Sequence, residues 1–347
     1  MKLLTTAPPS VRFEPQSYLQ TIRDLARWNE AAGIEGMLIY TDNSLADPWT
    51  VAQAVLDCTT TFVPLVAVQP LYLSPYAAAC KIASLGFLYG RRIALNLVAG
   101  GFRKDLEQLG DLLDHDPRYD RLVEYATILQ ALLRGETVTF AGTYYMVRNL
   151  KLQPALPPGL MPEIYVSGAS EACIAAAQRL GAVRFSYTKP PAELRALAPL
   201  PGAGDLGLRF GIIARDTSEE AWQVARARFP ADRRGQMAHR MARATSDSIW
   251  HQEIAELAEE LPDARDGAYW LYPVRNYRTF CPYLVGSHAE VGALIAEYAG
   301  LGFRCLILDV PQSEADLAQA MRALPPSFAP AGAASAPLAT APLSQTA

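Results

Sequence analysis

The sequence predicts a parallel α/β barrel of eight strand–helix units, with insertions after strand 4 and between strands 7 and 8. Short, β-prone apolar runs recur between longer amphipathic segments. Most of these runs lack strict alternation of polar and apolar residues, as expected of strands that are buried on both faces of a parallel sheet. Eight repeated strand–helix units are the number found in a TIM barrel. A chain of 347 residues, half of them hydrophobic, is long enough to bury such a core.

The predicted strands follow the apolar runs in chain order. They are residues 2–6, 36–40, 62–68, 92–98, 163–167, 182–187, 208–214 and 303–309. Between them, apolar residues recur at helical spacing, and this predicts helices over 16–33, 74–86, 170–181, 218–229 and 289–302. Four of these helical segments end at Gly, which is a common signal for the C-terminus of a helix.

Two internal regions interrupt the alternation of strands and helices. Residues 99–162 contain a long helix and then a predicted hairpin at 137–147. Residues 230–285 contain a long helical segment and then an aromatic stretch at 269–283. Both regions exceed what a barrel needs to connect one strand to the next, so we predict that they are insertions.

The C-terminal tail, residues 326–347, is rich in Ala, Pro and Ser and poor in bulky apolar groups. Such a composition cannot bury enough surface to fold, so we expect the tail to be disordered. The barrel domain is therefore expected to occupy residues 1–325.

Composition and charge argue against several classes of partner. The net charge is −4 and no run of Lys or Arg occurs, which disfavours binding to nucleic acid or to an anionic membrane. The five cysteines are scattered without a CxxC pair, as in a cytosolic protein with reduced thiols. The apolar segment at the N-terminus is too short for a signal peptide, and no apolar run is long enough to span a membrane. We therefore expect a cytoplasmic protein.

The active site of a TIM barrel lies at the carboxyl ends of its strands. Asp42 and Asp309 are the carboxylates predicted there, and they do not form an evident pair around a scissile bond, which argues against a glycosidase. The four histidines are far apart and show neither HxH nor HExxH spacing, so a metal site has little support. No GxSxG elbow and no Walker-type phosphate loop is present.

A phosphate-type signal does occur between the fifth strand and the helix that follows it. The segment VSGASEA (166–172) places Gly168 where the backbone can approach a ligand and Ser170 at the start of a helix. The N–H groups and the positive dipole end of that helix could bind a phosphate. Ser170 could equally be an N-cap residue with a structural role alone.

Four further residues are candidates for binding a ligand. His115 and Tyr119 lie four residues apart and therefore share one helix face, where they could also simply pack on the barrel. Asn96 lies within an apolar strand, and a buried Asn needs partners. Arg209 also lies in a predicted strand and needs an anion or an acid, so an ion pair with Asp309 or Asp42 is the structural alternative.

With these residues, the chain resembles the bacterial luciferase-like flavin monooxygenases, in particular their alkanesulfonate monooxygenase branch. The matching segments appear in the same order over nearly all of residues 20–323, and the segment at 112–145 is the most specific of them. They lie at 41–49, 94–101, 112–145, 162–172, 187–193, 208–222 and 284–303.

The resemblance implies a TIM barrel that binds reduced FMN, supplied by a separate NAD(P)H:flavin reductase. Reduced FMN would react with O2 to give a C4a-peroxyflavin that oxygenates the substrate. His115 and Tyr119 would lie by the flavin phosphate and ribityl chain, and Asn96 would position the isoalloxazine ring. The phosphate loop would consist of Gly168, Ala169 and Ser170.

The resemblance is weaker at the residues that would contact the substrate. Arg209 matches the strand-7 Arg of the sulfonate enzymes and would bind the flavin peroxide or an anionic substrate group, whereas the Arg of the flexible lid matches either Arg275 or Arg278. A Cys of those enzymes is Leu45 here and a His is Gly211. Their Tyr-Pro-His run is Val310–Pro311–Gln312. No strand-end His remains as a general base.

We therefore expect an FMN-dependent, two-component monooxygenase that oxygenates a non-sulfonate organic substrate, free or carrier-bound, with a role in specialised metabolism. An alkanesulfonate monooxygenase, a deazaflavin-dependent oxidoreductase and a non-catalytic flavin-binding protein are the alternatives. The resemblance also implies a homodimer or tetramer.

Overall fold

The computed structural model describes residues 1–197, 205–245 and 249–328 of the chain. Within these ranges, eight parallel strands close a barrel, and all eight predicted strands are confirmed with shifts of one or two residues at their ends. These strands are β1 (Lys2–Thr6), β2 (Gly36–Ile39), β3 (Val63–Val68), β4 (Ala94–Leu97), β7 (Ile164–Ser167), β8 (Val183–Tyr187), β9 (Leu206–Arg215) and β13 (Phe303–Leu308).

The barrel closes through parallel pairing of each strand with the next, in the order β1, β2, β3, β4, β7, β8, β9, β13 and back to β1. Closure is set by pairs such as Leu4 with Ile307 and Tyr187 with Arg209. One face of each strand fills the interior with apolar residues, among them Leu38, Leu65 and Phe185. The opposite face packs against the helices, which explains why the strands read as continuous apolar runs.

Helices cover the outside of the barrel and build much of the insertions. The predicted helices are confirmed, with ends that shift by up to three residues. They are α1 (Pro15–Ala31), α2 (Pro48–Cys58), α3 (Pro75–Tyr89), α4 (Arg103–Gln108), α5 (His115–Leu133), α6 (Glu171–Leu180), α7 (Pro191–Ala196), α8 (Ser218–Arg228), α9 (Arg233–Thr245), α10 (Ile249–Glu260), α11 (Tyr272–Arg275), α12 (His288–Gly300) and α13 (Glu314–Arg322).

The prediction that one helix ends at Gly86 is wrong, because α3 continues to Tyr89 and is capped by Gly90 in the left-handed conformation, at φ 62°. Gly86 lies inside the helix, where a Cβ atom would be 3.2 Å from the side chains of both Leu156 and Leu160. The missing side chain therefore lets the segment that contains these leucines pack directly on α3.

The insertion after β4 contains α4, α5 and the predicted hairpin, formed by the antiparallel strands β5 (Val138–Ala141) and β6 (Met146–Leu150). The insertion between β9 and β13 contains α8 to α12 and three further strands. Two of these strands are short and antiparallel, β10 (Arg265–Asp266) and β11 (Tyr269–Trp270). The third, β12 (Tyr283–Ser287), was not predicted, and it pairs in parallel with residues Gly211–Arg215 of β9.

Strand β9 therefore belongs to two parts of the structure. Its first half, from Leu206 to Phe210, pairs with β13 in the barrel wall. Its second half continues beyond the barrel and pairs with β12 of the insertion. A separate apolar cluster, which includes Trp222, Phe229 and Trp270, packs beneath this extension.

Of the predicted tail, the structure describes residues 326–328, and Phe328 is buried. The remainder of the predicted disordered tail, residues 329–347, lies outside the described residues. No helix in the described ranges is both long and apolar enough to cross a membrane.

Candidate active site

A cavity of about 1500 Å³ lies at the carboxyl ends of the barrel strands. Its wall includes strand-end residues, and its rim includes residues 277–280 and His251 of the second insertion. Ligand pockets commonly measure about 300–1000 Å³. This cavity is therefore large enough for two ligands side by side.

One corner of the cavity forms where β7 passes into α6. Gly168 has a φ of 150°, and a Cβ atom there would lie 2.8 Å from Cys173 Sγ and 2.9 Å from Tyr119 Oη. Glycine is thus required both by the backbone and by the lack of space. Ser170 caps α6, because its Oγ accepts a hydrogen bond of 3.2 Å from the Cys173 N–H. The capping role considered for Ser170 is confirmed, and Gly168, Ala169 and Ser170 all line the cavity.

Helix α5 forms the other side of this corner. It begins at His115, and Tyr119 follows one turn later, with 5.2 Å between the two ring centroids. The two side chains share one face of the helix, as their spacing predicted, and both line the cavity. Burial and the neighbouring Cys173 raise the pKa of Tyr119, whose hydroxyl also bonds the side chain of Ser170. Tyr119 therefore keeps its proton at neutral pH and can donate it in a hydrogen bond.

Asn96 lies on β4 at the floor of the cavity and is 5% exposed. Its Oδ1 accepts a hydrogen bond of 2.8 Å from the hydroxyl of Ser167, at the end of the adjacent strand β7. This bond satisfies part of the polar requirement of a buried Asn and fixes its side-chain amide at the centre of the site.

Arg209 lies on β9 and lines the opposite side of the cavity. Its Nη2 is 3.4 Å from Asp309 Oδ1, so the predicted ion-pair alternative is confirmed for Asp309. Its guanidinium carbon also lies 4.9 Å from the ring centroid of Tyr40 and 5.7 Å from that of Tyr187. These contacts hold the cation between two aromatic rings at the cavity wall.

Asp309 joins the barrel to the second insertion. Its Oδ2 accepts hydrogen bonds from Thr279 at 2.8 Å and from Tyr283 at 2.9 Å, and its Oδ1 accepts one from Thr6 at 3.3 Å. Burial acts to raise the pKa of Asp309, but Arg209 and these donors outweigh it, so the pKa lies below its ordinary value. An ionised carboxylate with this many partners holds the site together and is a poor base.

The substrate side differs from the sulfonate pattern for a physical reason. A Cβ atom at Gly211 would lie 2.3 Å from the ring of Tyr283, which belongs to β12. The Tyr283 ring thus fills the space that a side chain at position 211 would need. Leu45, Val310, Pro311 and Gln312, where the sequence also departs from that pattern, line the same cavity.

The two candidate lid arginines have different positions. Arg278 lines the cavity, and its Nη2 lies 2.8 Å from Asp232. Arg275 lies in α11, is exposed, and is not among the residues that line the cavity. Of the aromatic stretch, Tyr269 packs in the main core and Trp270 in the separate apolar cluster of the insertion, whereas Tyr277 and Phe280 line the cavity.

His251 is a cavity residue that the sequence reasoning missed. It lies on α10, stacks on Phe102 with 5.6 Å between ring centroids, and its Nε2 is 3.3 Å from the hydroxyl of Tyr187. Burial lowers the pKa of His251 to about 4, helped by the charges of Arg209 and His239. The cavity thus contains a neutral imidazole that can accept a proton. No spacing or motif around residue 251 connects α10 to the barrel mouth, so no signal in the sequence pointed to His251.

The described residues contain no group of three or more His, Cys, Asp or Glu side chains placed to hold a metal ion. The polar lining of the cavity combines carboxylates, among them Asp42 and Asp309, with hydroxyls, amides, imidazoles, guanidinium groups and the amine of Lys104. The donors among these groups suit an organic, anionic ligand.

Comparison with known proteins identifies the class to which this fold and site belong. The family described as luciferase-like monooxygenase matches residues 1–305. The chain therefore belongs to the luciferase-like monooxygenase family, and the predicted family and enzyme class are confirmed.

Among characterised relatives, the chain is 36% identical over 308 residues to 4-(gamma-L-glutamylamino)butanoyl-[BtrI acyl-carrier protein] monooxygenase BtrO of Niallia circulans, covering 87% of this chain and 89% of the relative. The structure of EDTA monooxygenase (EmoA) from Chelativorans sp. BNC1 aligns with a TM-score of 0.70 at 17% identity over 92% of both chains. An F420-dependent secondary alcohol dehydrogenase aligns with a TM-score of 0.62 at 15% identity, over 94% of this chain and 98% of its own. At such low identities, the two structures demonstrate a shared fold alone.

Proposed function

We propose that this monooxygenase uses FMN, reduced by a separate NAD(P)H:flavin reductase, together with O2, to oxygenate an organic substrate other than an alkanesulfonate. The main support is the corner formed by His115, Tyr119, Gly168 and Ser170, which lies beside Asn96 in a cavity with room for two ligands. When bound, the flavin supplies the oxygen chemistry, and the protein binds, orients and excludes water.

In this proposal, the corner holds the FMN phosphate. The start of α6 and the hydroxyls of Ser170 and Tyr119 offer donors to a doubly charged anion. Asn96 bonds the polar edge of the flavin ring from the cavity floor. Arg209 and His251 face the remaining space, where a substrate would lie.

We also propose that the substrate arrives attached to a carrier protein. The support is the 36% identity to BtrO, whose description names a substrate bound to an acyl-carrier protein. The changes at Gly211 and at Val310–Gln312 argue separately against an alkanesulfonate substrate, since they replace residues of the sulfonate enzymes.

The FMN site is tested by replacing Ser170 with Ala and titrating the protein with FMN. Loss of one hydrogen bond to a charged phosphate should weaken binding by about 1.5–3 kcal/mol. Because Ser170 also caps α6, the control is Ser74→Ala, which removes an N-cap bond of the same length, 3.2 Å, from α3 outside the cavity. Unchanged FMN affinity in Ser170→Ala would show that the phosphate lies elsewhere.

The reaction is tested by mixing the protein and reduced FMN with ¹⁸O2 in the presence of the acylated carrier named for BtrO. Transfer of one labelled oxygen atom to the acyl chain supports the proposal. Reduction of a deazaflavin without oxygen uptake would instead favour the oxidoreductase alternative.

A further inference from the structure

Positive charge is concentrated in one segment of this acidic chain. Residues 226–245 contain six Arg and a single acidic residue, Asp232, although the whole chain has a net charge of −4. Helix α9 begins within this segment and contains no Asp or Glu. Arg228 pairs with the buried Asp316, but the exposed cations of the segment suit an acidic partner.

The exposed side of α9 combines these cations with apolar side chains. Met237 and Met241 are 59% and 72% exposed. Arg233, Arg234 and Arg240 are also exposed. At 3.6 residues per turn these five side chains share one face, which we call the α9 face. Flexible, polarisable methionines among arginines are typical of surfaces that bind other proteins.

The opposite side of α9 rests on the rim of the cavity. A Cβ atom at Gly235 would lie 2.1 Å from the carbonyl oxygen of Asn276, so the helix and this segment are in direct contact. Gln236 Nε2 donates a hydrogen bond of 2.9 Å to Asn276 Oδ1. The His239 ring lies 5.9 Å from that of Tyr277, which lines the cavity. The α9 face is therefore separated from the cavity by one layer of side chains.

Basic residues continue from α9 to the cavity mouth. Arg278 and Arg12 are exposed and line the cavity, and Arg12 Nη2 donates a hydrogen bond of 3.1 Å to the carbonyl of Arg278. A partner seated on the α9 face would thus find cations along the path into the site.

We propose that the α9 face is the docking surface for an acidic acyl-carrier protein, which delivers its substrate into the cavity past Arg278. The proposal rests on the carrier-bound substrate of the proposed function and assigns the surface that recognises the carrier. The negative charge of a small acidic carrier complements the cations of the α9 face. From there, its flexible arm could enter the neighbouring mouth of the cavity. Charge complementarity of this kind controls the rate and specificity of docking.

The test measures binding of the BtrI acyl-carrier protein, with its phosphopantetheine arm attached, to the flavin-free protein by calorimetry. The triple variant Arg233→Glu, Arg234→Glu, Arg240→Glu should raise Kd by roughly tenfold or more, and added salt should weaken wild-type binding. Met237→Gln should also weaken binding, but with the salt dependence of the wild type.

The matched control is the double reversal Arg148→Glu with Lys151→Glu, which changes one exposed cation in strand β6 and one directly after it, both outside the cavity lining. It should leave Kd within about twofold of wild type, since rim charges far from an interface contribute little. Equal Kd values for the triple variant and this control would overturn the proposal. The proposal would also be overturned if the wild type did not bind the carrier at ~100 µM, a concentration at which even a weak, transient complex should be detected.

Two further measurements separate the possible failures. Titration with FMN tests the proposed function independently, because the carrier measurement uses protein without flavin. Binding of duplex DNA or of phosphatidylglycerol vesicles that the triple reversal abolishes, without carrier binding, would assign the α9 face to a different polyanion and overturn the proposal.

Discussion

At the scale of single residues, the neutral imidazole of His251 determines how the protein responds to acid. Burial, Arg209 and His239 lower its pKa to about 4, below the ordinary value of 6.5. The unfolded chain therefore binds this proton first as the pH falls. Stability linked to His251 is complete above about pH 7 and is lost progressively as the pH falls from 6.5 towards 4.

His251→Phe should remove this dependence while keeping the ring stacked on Phe102. Between pH 7 and pH 5, the wild type should lose about 2 kcal/mol more free energy of unfolding than the variant. Urea denaturation at several pH values measures the difference. The groups that face the imidazole are Tyr187 on β8, Arg209 on β9 and His239 on α9.

Tyr187→Phe is the control, because it removes the hydroxyl partner of His251 but leaves the imidazole buried. It should keep most of the wild-type pH dependence. Parallel stability curves for wild type and His251→Phe would show that the imidazole is already solvated in the native state.

Residues near the ends of barrel strands could be found from the sequence, and His115, Tyr119 and Arg278 of the insertions were found through the family resemblance, whereas His251 and Tyr283 were not. Asn96, Gly168 and Ser170 occupy fixed places in strand–helix units, so counting units was enough to place them at the cavity. His251 and Tyr283 reach the cavity through tertiary packing of the second insertion. Local spacing contains no information about such packing.

At the scale of elements, the hairpin after α5 depends on one carboxylate. Glu124 on α5 accepts hydrogen bonds from the backbone N–H groups of Thr143, Tyr144 and Tyr145, at 2.8, 2.9 and 3.1 Å. These donors belong to the turn between β5 and β6. The carboxylate of Glu124 thus satisfies three backbone N–H groups of the turn and holds the turn against α5.

Glu124→Ala should therefore release the turn without unfolding the barrel. Amide hydrogen exchange over residues 138–150 should become at least tenfold faster, equivalent to about 1.4 kcal/mol or more, because bonds to charged groups contribute about 1.5–3 kcal/mol each. Glu136→Ala is the control, since Glu136 is exposed and pairs with Arg134. Equal exchange in both variants would mean that the strand pairing alone holds the hairpin.

Strand β12 was missed because its pattern is weak. Its five residues follow an aromatic and Pro-containing stretch, and its partner β9 was predicted to end at residue 214 as an ordinary barrel strand. In contrast, each of the eight barrel strands is a mainly apolar run at the regular place in a strand–helix unit, as burial on both faces of a parallel sheet favours.

At the scale of the whole molecule, Asp309 connects the barrel with its second insertion. Its carboxylate contacts Arg209 of β9, Thr6 of β1 and Tyr283 of β12. Asp309→Asn would leave the guanidinium of Arg209 buried without its counter-ion. We expect a loss of about 3 kcal/mol in the free energy of unfolding, since breaking one partner of a buried pair is strongly destabilising.

The double variant Asp309→Asn with Arg209→Met should recover part of that loss, because no unpaired cation remains. Guanidinium denaturation followed by circular dichroism measures both variants. If the double variant is the less stable one, the aromatic contacts of Arg209 with Tyr40 and Tyr187 stabilise the fold more than the ion pair does.

The continuation of β9 into β12 limits how this protein can be re-engineered. Specificity in many barrels is exchanged by grafting a surface loop onto an unchanged scaffold. Here the second half of the barrel strand β9, from Gly211 to Arg215, pairs with β12 of the second insertion. A chimera that transplants residues 216–302 alone would separate β12 from its partner, so a working graft must include the seventh strand of the barrel as well.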